Sequence, residues 1–150
     1  MKVYLRLLFV LVLLVPLVFL SCGSVTIPRV GLNVIATVSR QTAGSMTFKI
    51  GVENAGTKTE TLQFGSAQFF DIEVEDSSGH LVWKYSFDGG FAALVWNLEL
   101  APGQSEVREY VWNLAGNDKD PLPSGPYGAK IYITSSPRDE GLSKVVSLTI

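Results

Sequence analysis

Beyond residue 23 the apolar residues come in alternation. Leu32, Val34, Ala36 and Val38 form a first period-two run, and Phe48, Ile50 and Val52 a second, which ends at the turn-prone Glu53-Asn54-Ala55-Gly56. Thr61-Leu62-Gln63-Phe64 is a short third run. In the fourth, Phe70, Ile72 and Val74 face one way and Asp71, Glu73 and Glu75 the other. Strict alternation is the mark of a strand with one face buried. Asp76-Ser77-Ser78-Gly79 then predicts a tight turn, because Asp bonds its own backbone and Gly tolerates positive φ, and Leu81–Tyr85 returns as the hairpin partner. Ala101-Pro102-Gly103 predicts another turn, followed by a long strand over Glu106–Trp112. Tyr127, Ala129, Ile131 and Ile133 alternate after the proline-rich connector Pro121–Pro126, and Val145–Ile150 closes the chain as a last strand. No stretch holds a helical period over more than three turns. Short strands at this spacing predict an all-β fold, an immunoglobulin-like antiparallel β-sandwich over residues 30–150. Trp83, Trp112 and Tyr127 fall inside strands and are expected in its core.

The first 22 residues follow a different rule. Lys2 and Arg6 precede fourteen residues, Leu7–Leu20, that are apolar apart from Pro16. A spanning helix needs about 20 apolar residues, so this run has the length of a signal-peptide core. It ends in Phe19-Leu20-Ser21-Cys22-Gly23, and Cys22 is the chain's one cysteine. A small residue before a lone Cys, directly after an apolar core, resembles the lipobox of bacterial lipoproteins. That resemblance implies cleavage of residues 1–21, lipidation of Cys22, and a tether over residues 22–29. Phe19 stands where Leu, Val or Ile is more usual. The protein is then exported and held to the cell membrane or outer membrane by its acyl chains, since two or more chains anchor stably where one does not; a plain secretory signal, giving a secreted protein, and an uncleaved N-terminal anchor are the alternatives. With Cys22 consumed, the exported domain has no disulfide and depends on its core.

Composition adds mainly exclusions. The 150 residues carry a formal net charge of −2, and losing Lys2 and Arg6 with the leader makes the remainder more acidic still. An acidic domain without a basic stripe argues against nucleic-acid binding. The acidic stripe Asp71, Glu73, Glu75 supplies too few converging oxygens for calcium and no acid and base facing across a cleft; it is expected as a solvated strand face. His80, the one imidazole, follows a tight turn where exposure is expected, and no Gly-x-Ser-x-Gly elbow accompanies it. With no Gly-rich phosphate loop either, the residues imply no cofactor or metal and point away from an enzyme.

One stretch breaks the alternation. Phe87-Asp88-Gly89-Gly90-Phe91-Ala92-Ala93-Leu94-Val95-Trp96 pairs two glycines with aromatic neighbours. Loops on a rigid scaffold are where binding residues concentrate, and aromatics make good interface anchors. The simpler reading is that Phe91 and Trp96 plug one end of the sandwich, with Ala92–Trp96 forming a single helical turn.

Read in order, several pieces resemble the BsuPI family of intracellular proteinase inhibitors. They are Phe48-Lys49-Ile50-Gly51-Val52-Glu53-Asn54; Leu62-Gln63-Phe64-Gly65-Ser66-Ala67-Gln68 leading into Phe70-Asp71; Asp76-Ser77-Ser78-Gly79; Val82-Trp83-Lys84-Tyr85-Ser86; Phe91; Leu100-Ala101-Pro102-Gly103-Gln104-Ser105; Trp112; and Leu122-Pro123-Ser124-Gly125-Pro126-Tyr127. Each is short, but their order and spacing together are specific. Ser124 replaces a proline common in the family, and the linker Asn117–Asp120 is longer than usual. The resemblance implies an immunoglobulin-like sandwich that inhibits a serine protease by protein–protein binding. Two candidate contact loops are Ser86–Phe91, with Phe87, Asp88 and Phe91 and the nearby Trp96, and Pro121–Pro126, with Pro123 and Ser124. The family name says intracellular while the leader says exported, so the partner is either a protease outside the cytosol or, in the alternative reading, another envelope protein bound by a non-inhibitory module.

Overall fold

The computed structural model describes residues 31–42, 44–136 and 140–150. The expected leader, Cys22 and the expected tether lie outside the described residues. Nine strands follow in order: β1 (Leu32–Thr42), β2 (Ser45–Asn54), β3 (Glu60–Phe64), β4 (Phe70–Asp76), β5 (Leu81–Lys84), β6 (Trp96–Leu100), β7 (Ser105–Trp112), β8 (Pro126–Ile133) and β9 (Ser143–Thr149). Short 3₁₀ turns occupy Tyr85–Phe87 and Glu140–Leu142. All ladders are antiparallel, in the orders β1-β2-β7, β3-β6 and β5-β4-β8-β9. They pack as a β-sandwich, the expected class.

The period-two pattern is what buries the core. Phe48, Ile50 and Val52 of β2, Ile72 and Val74 of β4, and Ala129 and Ile131 of β8 have no exposed surface. They share one cluster with Leu62, Phe64, Trp83 and Trp112, so the three sheets enclose a common interior. Tyr127, at the start of β8, is buried and donates its hydroxyl hydrogen to the Pro123 carbonyl at 2.8 Å, the tyrosine corner that recurs in immunoglobulin-like sandwiches.

β2 pairs with β7, and β3 with β6, so residues 45–64 run antiparallel to 96–112 over two successive ladders with a break between them. Asn54 stands at that break. It is fully buried; its Nδ2 donates to the carbonyls of Leu100 (2.7 Å) and Lys58 (2.8 Å), and its Oδ1 accepts from the Gly56 amide (2.9 Å). Its main chain exchanges further bonds with Gly103 and Gln104. Gly103, at φ +78°, takes the left-handed position that the Ala101-Pro102-Gly103 signal calls for.

Two expectations are corrected. Trp96–Leu100 is a strand, absent from the pattern reading, and Ala92–Trp96 is not a helical turn: residues 91–95 are irregular and β6 begins at Trp96. Trp96, Leu98 and Leu100 do alternate, but they follow directly on the unpatterned apolar run Ala92–Val95, which masks their period. The helical turn lies earlier, at Tyr85–Phe87. The acidic face of β4 is also not uniformly solvated. Asp71 is only 3% exposed, because β4 is an inner strand and Ser86, Tyr132 and Lys84 close over it.

Candidate functional site

The candidate loop between β5 and β6 is built on a stack of rings that begins in the core. Phe48 touches Trp112 at 6.1 Å between centroids, and Trp112 stacks on Trp83 at 5.0 Å. Trp83 stacks on Tyr110 (5.8 Å), Tyr110 meets Tyr85 edge-on (4.7 Å), and Tyr85 contacts Phe91 (5.4 Å) and Phe70 (5.0 Å). Offset and edge-on pairs at these separations add stability beyond their buried area. The loop therefore starts from an aromatic column and is positioned by it.

Asp88 fixes the first half of the loop. Its Oδ2 accepts the Trp83 Nε1–H at 2.6 Å, and its Oδ1 accepts from Asn117 Nδ2 at 2.9 Å and from the Lys119 ammonium. Burial on its own would raise the Asp88 pKa; the hydrogen bonds from Lys119, Trp83 and Asn117 outweigh it and hold the carboxyl below its ordinary range. Asn117 also brackets the main chain of Lys84, accepting from its amide at 2.7 Å and donating to its carbonyl at 2.9 Å. The long linker Asn117–Asp120 thus clamps the loop. Lys119 sits at φ +73° to make that turn.

Next to it lies a half-buried charged cluster. Lys84 bonds Glu73 at 2.6 Å and stands 3.6 Å from Asp71. Asp71 accepts from the amides of Ile72 and Ser86, each at 3.0 Å, and from the Tyr132 hydroxyl at 2.9 Å. Burial is the largest influence on Tyr132 and, with the Asp71 contact, pushes its pKa up to about 12. Every one of these groups is satisfied within the protein, so the cluster pins β4, β5 and the 3₁₀ turn together.

The second half of the loop is held from the other side. The Ala67 amide donates to the Ala92 carbonyl at 2.9 Å, and Trp96 Nε1 donates to the Ser66 carbonyl at 2.8 Å. The Trp96 ring stacks on Phe64 at 4.2 Å, with the Arg108 guanidinium 5.4 Å from it and 4.5 Å from Phe69. Between these two staples, Leu94 is 54% and Val95 70% exposed.

Each site residue expected from sequence can now be placed. Phe87 is 67% exposed, with the Lys84 ammonium 5.5 Å from its ring. Asp88 is a clamp, and Phe91 and Trp96 are half-buried wedges, in line with the plug reading. Pro123 and Ser124 are exposed, in a segment anchored elsewhere: Leu122 donates to the Leu114 carbonyl, and Gly125 and Ile150 exchange backbone bonds. The two candidate loops thus have different supports. His80 is exposed and bonded to Asp76. Leu94 and Val95 escaped the sequence reading, although a run of apolar residues without alternation, just after paired glycines, was a usable sign. Among the described residues no three His, Cys, Asp or Glu side chains converge to hold a metal ion.

The fold and this site define a β-sandwich that carries a stapled loop between β5 and β6. A family model described as BsuPI, intracellular proteinase inhibitor, matches residues 32–138, and the chain belongs to that family. Membership supports a proteinase-inhibitor role, exerted by binding a protease, and points to a non-enzymatic protein. No curated protein matches the chain. Among solved structures it is similar to parts of β-glucosidases: EmGH1 from Erythrobacter marinus (12% identity, TM-score 0.43, 79% of this chain and 15% of that one), enzyme 3B from Thermotoga neapolitana (18%, 0.41, 77% and 15%) and the Listeria innocua enzyme (8%, 0.41, 79% and 16%). The chain spans only about 15% of the length of those enzymes, and likenesses this distant carry no argument about activity.

Proposed function

We propose that the protein is an exported, membrane-tethered inhibitor of a serine protease, anchored through lipidated Cys22 and acting by a loop that docks in the protease cleft. The family match over residues 32–138 carries the inhibitory half of this reading. The apolar leader ending in Ser21-Cys22 supports the tether. A loop fixed before it meets its partner loses little conformational freedom on binding, and the Asp88 clamp and the Ala67 and Trp96 staples supply that rigidity without a disulfide. The target is a protease that works outside the cytosol.

The test has two parts. The full-length chain, purified in detergent, is titrated against subtilisin, chymotrypsin and trypsin; stoichiometric, saturable inhibition of at least one is expected. Absence of inhibition at micromolar concentration overturns the inhibitor. Separately, the wild-type chain is expected in the membrane fraction and a Cys22→Ser variant without acyl label. Equal labelling and partition of the two would remove the lipid anchor.

A further inference from the structure

Six large hydrophobic side chains are exposed among the described residues: Leu81, Phe87, Leu94, Val95, Val111 and Val145. Leu81, Val111 and Val145 lie within strands, and Phe87 ends a 3₁₀ turn. Only Leu94 and Val95 stand on backbone that belongs to no regular element. A protease cleft takes an extended segment, which a strand already paired in a sheet or a helical turn cannot supply without breaking its own bonds. Phe87, the most exposed aromatic, is excluded on that ground.

The segment around Leu94 has a second property. Ala92 and Trp96 flank it, and each is stapled to one of two adjacent residues: the Ala92 carbonyl to the Ala67 amide and the Trp96 ring to the Ser66 carbonyl. Ala93, Leu94 and Val95 form a bow whose ends are tied to one short segment, and that segment is itself fixed, since the Gln68 carbonyl accepts the Thr134 hydroxyl at 2.6 Å. Leu94 is the middle of the bow. The bond after Val95 is not presented in the same way, because Trp96 is packed on Phe64.

We propose that Ala93-Leu94-Val95 is the inhibitory segment and that Leu94 fills the primary specificity pocket, so that the target is a serine protease whose pocket is apolar. This rests on the inhibitor reading above. Leucine in an acidic pocket would leave the pocket's buried carboxylate unpaired, which selects against trypsin-like targets. The geometry also accounts for inhibition in place of digestion. When the protease serine Oγ attacks the Leu94 carbonyl carbon, the bond to the Val95 nitrogen breaks and the hydroxyl proton passes to that nitrogen. The new amine stays within reach because Trp96 is anchored one residue away, and the acyl side stays because Ala92 is anchored. The amine then re-attacks the ester, the C–O bond breaks, and the proton returns to the serine.

The experiment uses the full-length chain in detergent with chymotrypsin, whose pocket is an apolar slot, and trypsin, whose pocket is acidic. Wild type is expected to inhibit chymotrypsin and not trypsin. Leu94→Lys is expected to weaken chymotrypsin inhibition by on the order of 100-fold and to create trypsin inhibition; Leu94→Ala should weaken the former without creating the latter. Val145→Lys, a change at a still more exposed position on β9, should alter neither. If wild type inhibits and Leu94→Lys behaves like wild type against both enzymes, this assignment is overturned while the inhibitor stands. Lack of inhibition by wild type of any protease overturns both. Rapid cutting at Leu94–Val95 with turnover at substrate speed overturns the trapped-bond mechanism and leaves the segment a substrate.

Discussion

Asn54 shows how much a single polar side chain can decide. Its sequence context, Glu53-Asn54-Ala55-Gly56, reads as a turn, and a turn Asn is normally exposed and tolerant. Here it has no exposed surface and serves three main-chain partners from two segments, one of them the buried Leu100 carbonyl. Removing such a side chain leaves buried groups without partners, which costs more than the bonds themselves contribute. Asn54→Ala is expected to lower stability by about 2–4 kcal/mol in chemical denaturation, and Asn54→Asp to recover little, since a carboxylate cannot donate to Leu100 and Lys58. A loss below about 0.5 kcal/mol would show that the break between the ladders does not depend on this residue. Asp71 makes the same point with charge. Its place in the alternation marks it as outward-facing, yet neighbours that arrive from residues 84, 86 and 132 enclose it.

At the level of elements, β2 is the strand on which the sheet is assembled, lying between β1 and β7. Gly51 stands opposite Ile35 on one side and Val107 on the other. A Cβ there would press on the Glu106 carbonyl and lie 3.0 Å from the Val107 Cα. Those are backbone atoms held by the ladder, so they cannot yield as a flexible side chain would. Gly51→Ala is expected to cost about 2–3 kcal/mol through this overpacking, read as a fall in the denaturation midpoint; an unchanged midpoint would mean that β7 can shift freely. Several residues in the stretches that carry the family resemblance have this character. Gly51, Asn54, Asp76–Gly79, Pro102-Gly103 and Tyr127 shape strand contacts, bends and turns. They explain why the fold was legible without pointing to a contact loop. β6 and residues 91–95 were illegible for the opposite reason: an apolar run without period can be core or surface, and only the staples from Ser66 and Ala67 decide which.

For the whole molecule, stability must follow pH through groups that hold protons differently in the folded chain. Glu73 and Asp88 are both depressed: burial would raise each, and the contacts of Glu73 with Lys84 and of Asp88 with Lys119, Trp83 and Asn117 more than reverse that. A depressed carboxyl contributes stability that is fully present above its unfolded pKa and lost as pH falls toward the folded one. The melting temperature is therefore expected to be flat from neutrality to about pH 5 and to fall from about pH 4 downward, with a shallower fall in Asp88→Asn. A flat profile to pH 3 would contradict it. On the alkaline side Lys84 and Tyr132 are raised, so their contribution is complete below about pH 10 and declines only above it. The Asp88 carboxyl of the clamp, held below its ordinary range, is thus expected to stay ionised across neutral pH.

The class of fold, most of the strands, the turns and the family are legible in the chain, because alternation, turn chemistry and ordered short motifs act over a few residues and leave local traces. The leader over residues 1–21 and the lipidation of Cys22 stand as proposals, tested by the membrane experiment. The burial of particular polar residues, the closing of the Asn117–Asp120 linker on Asp88, and the exposure of Leu94 and Val95 between two anchors follow from folding in three dimensions. Those outcomes depend on segments far apart in the chain meeting in space, and no local pattern records such a meeting.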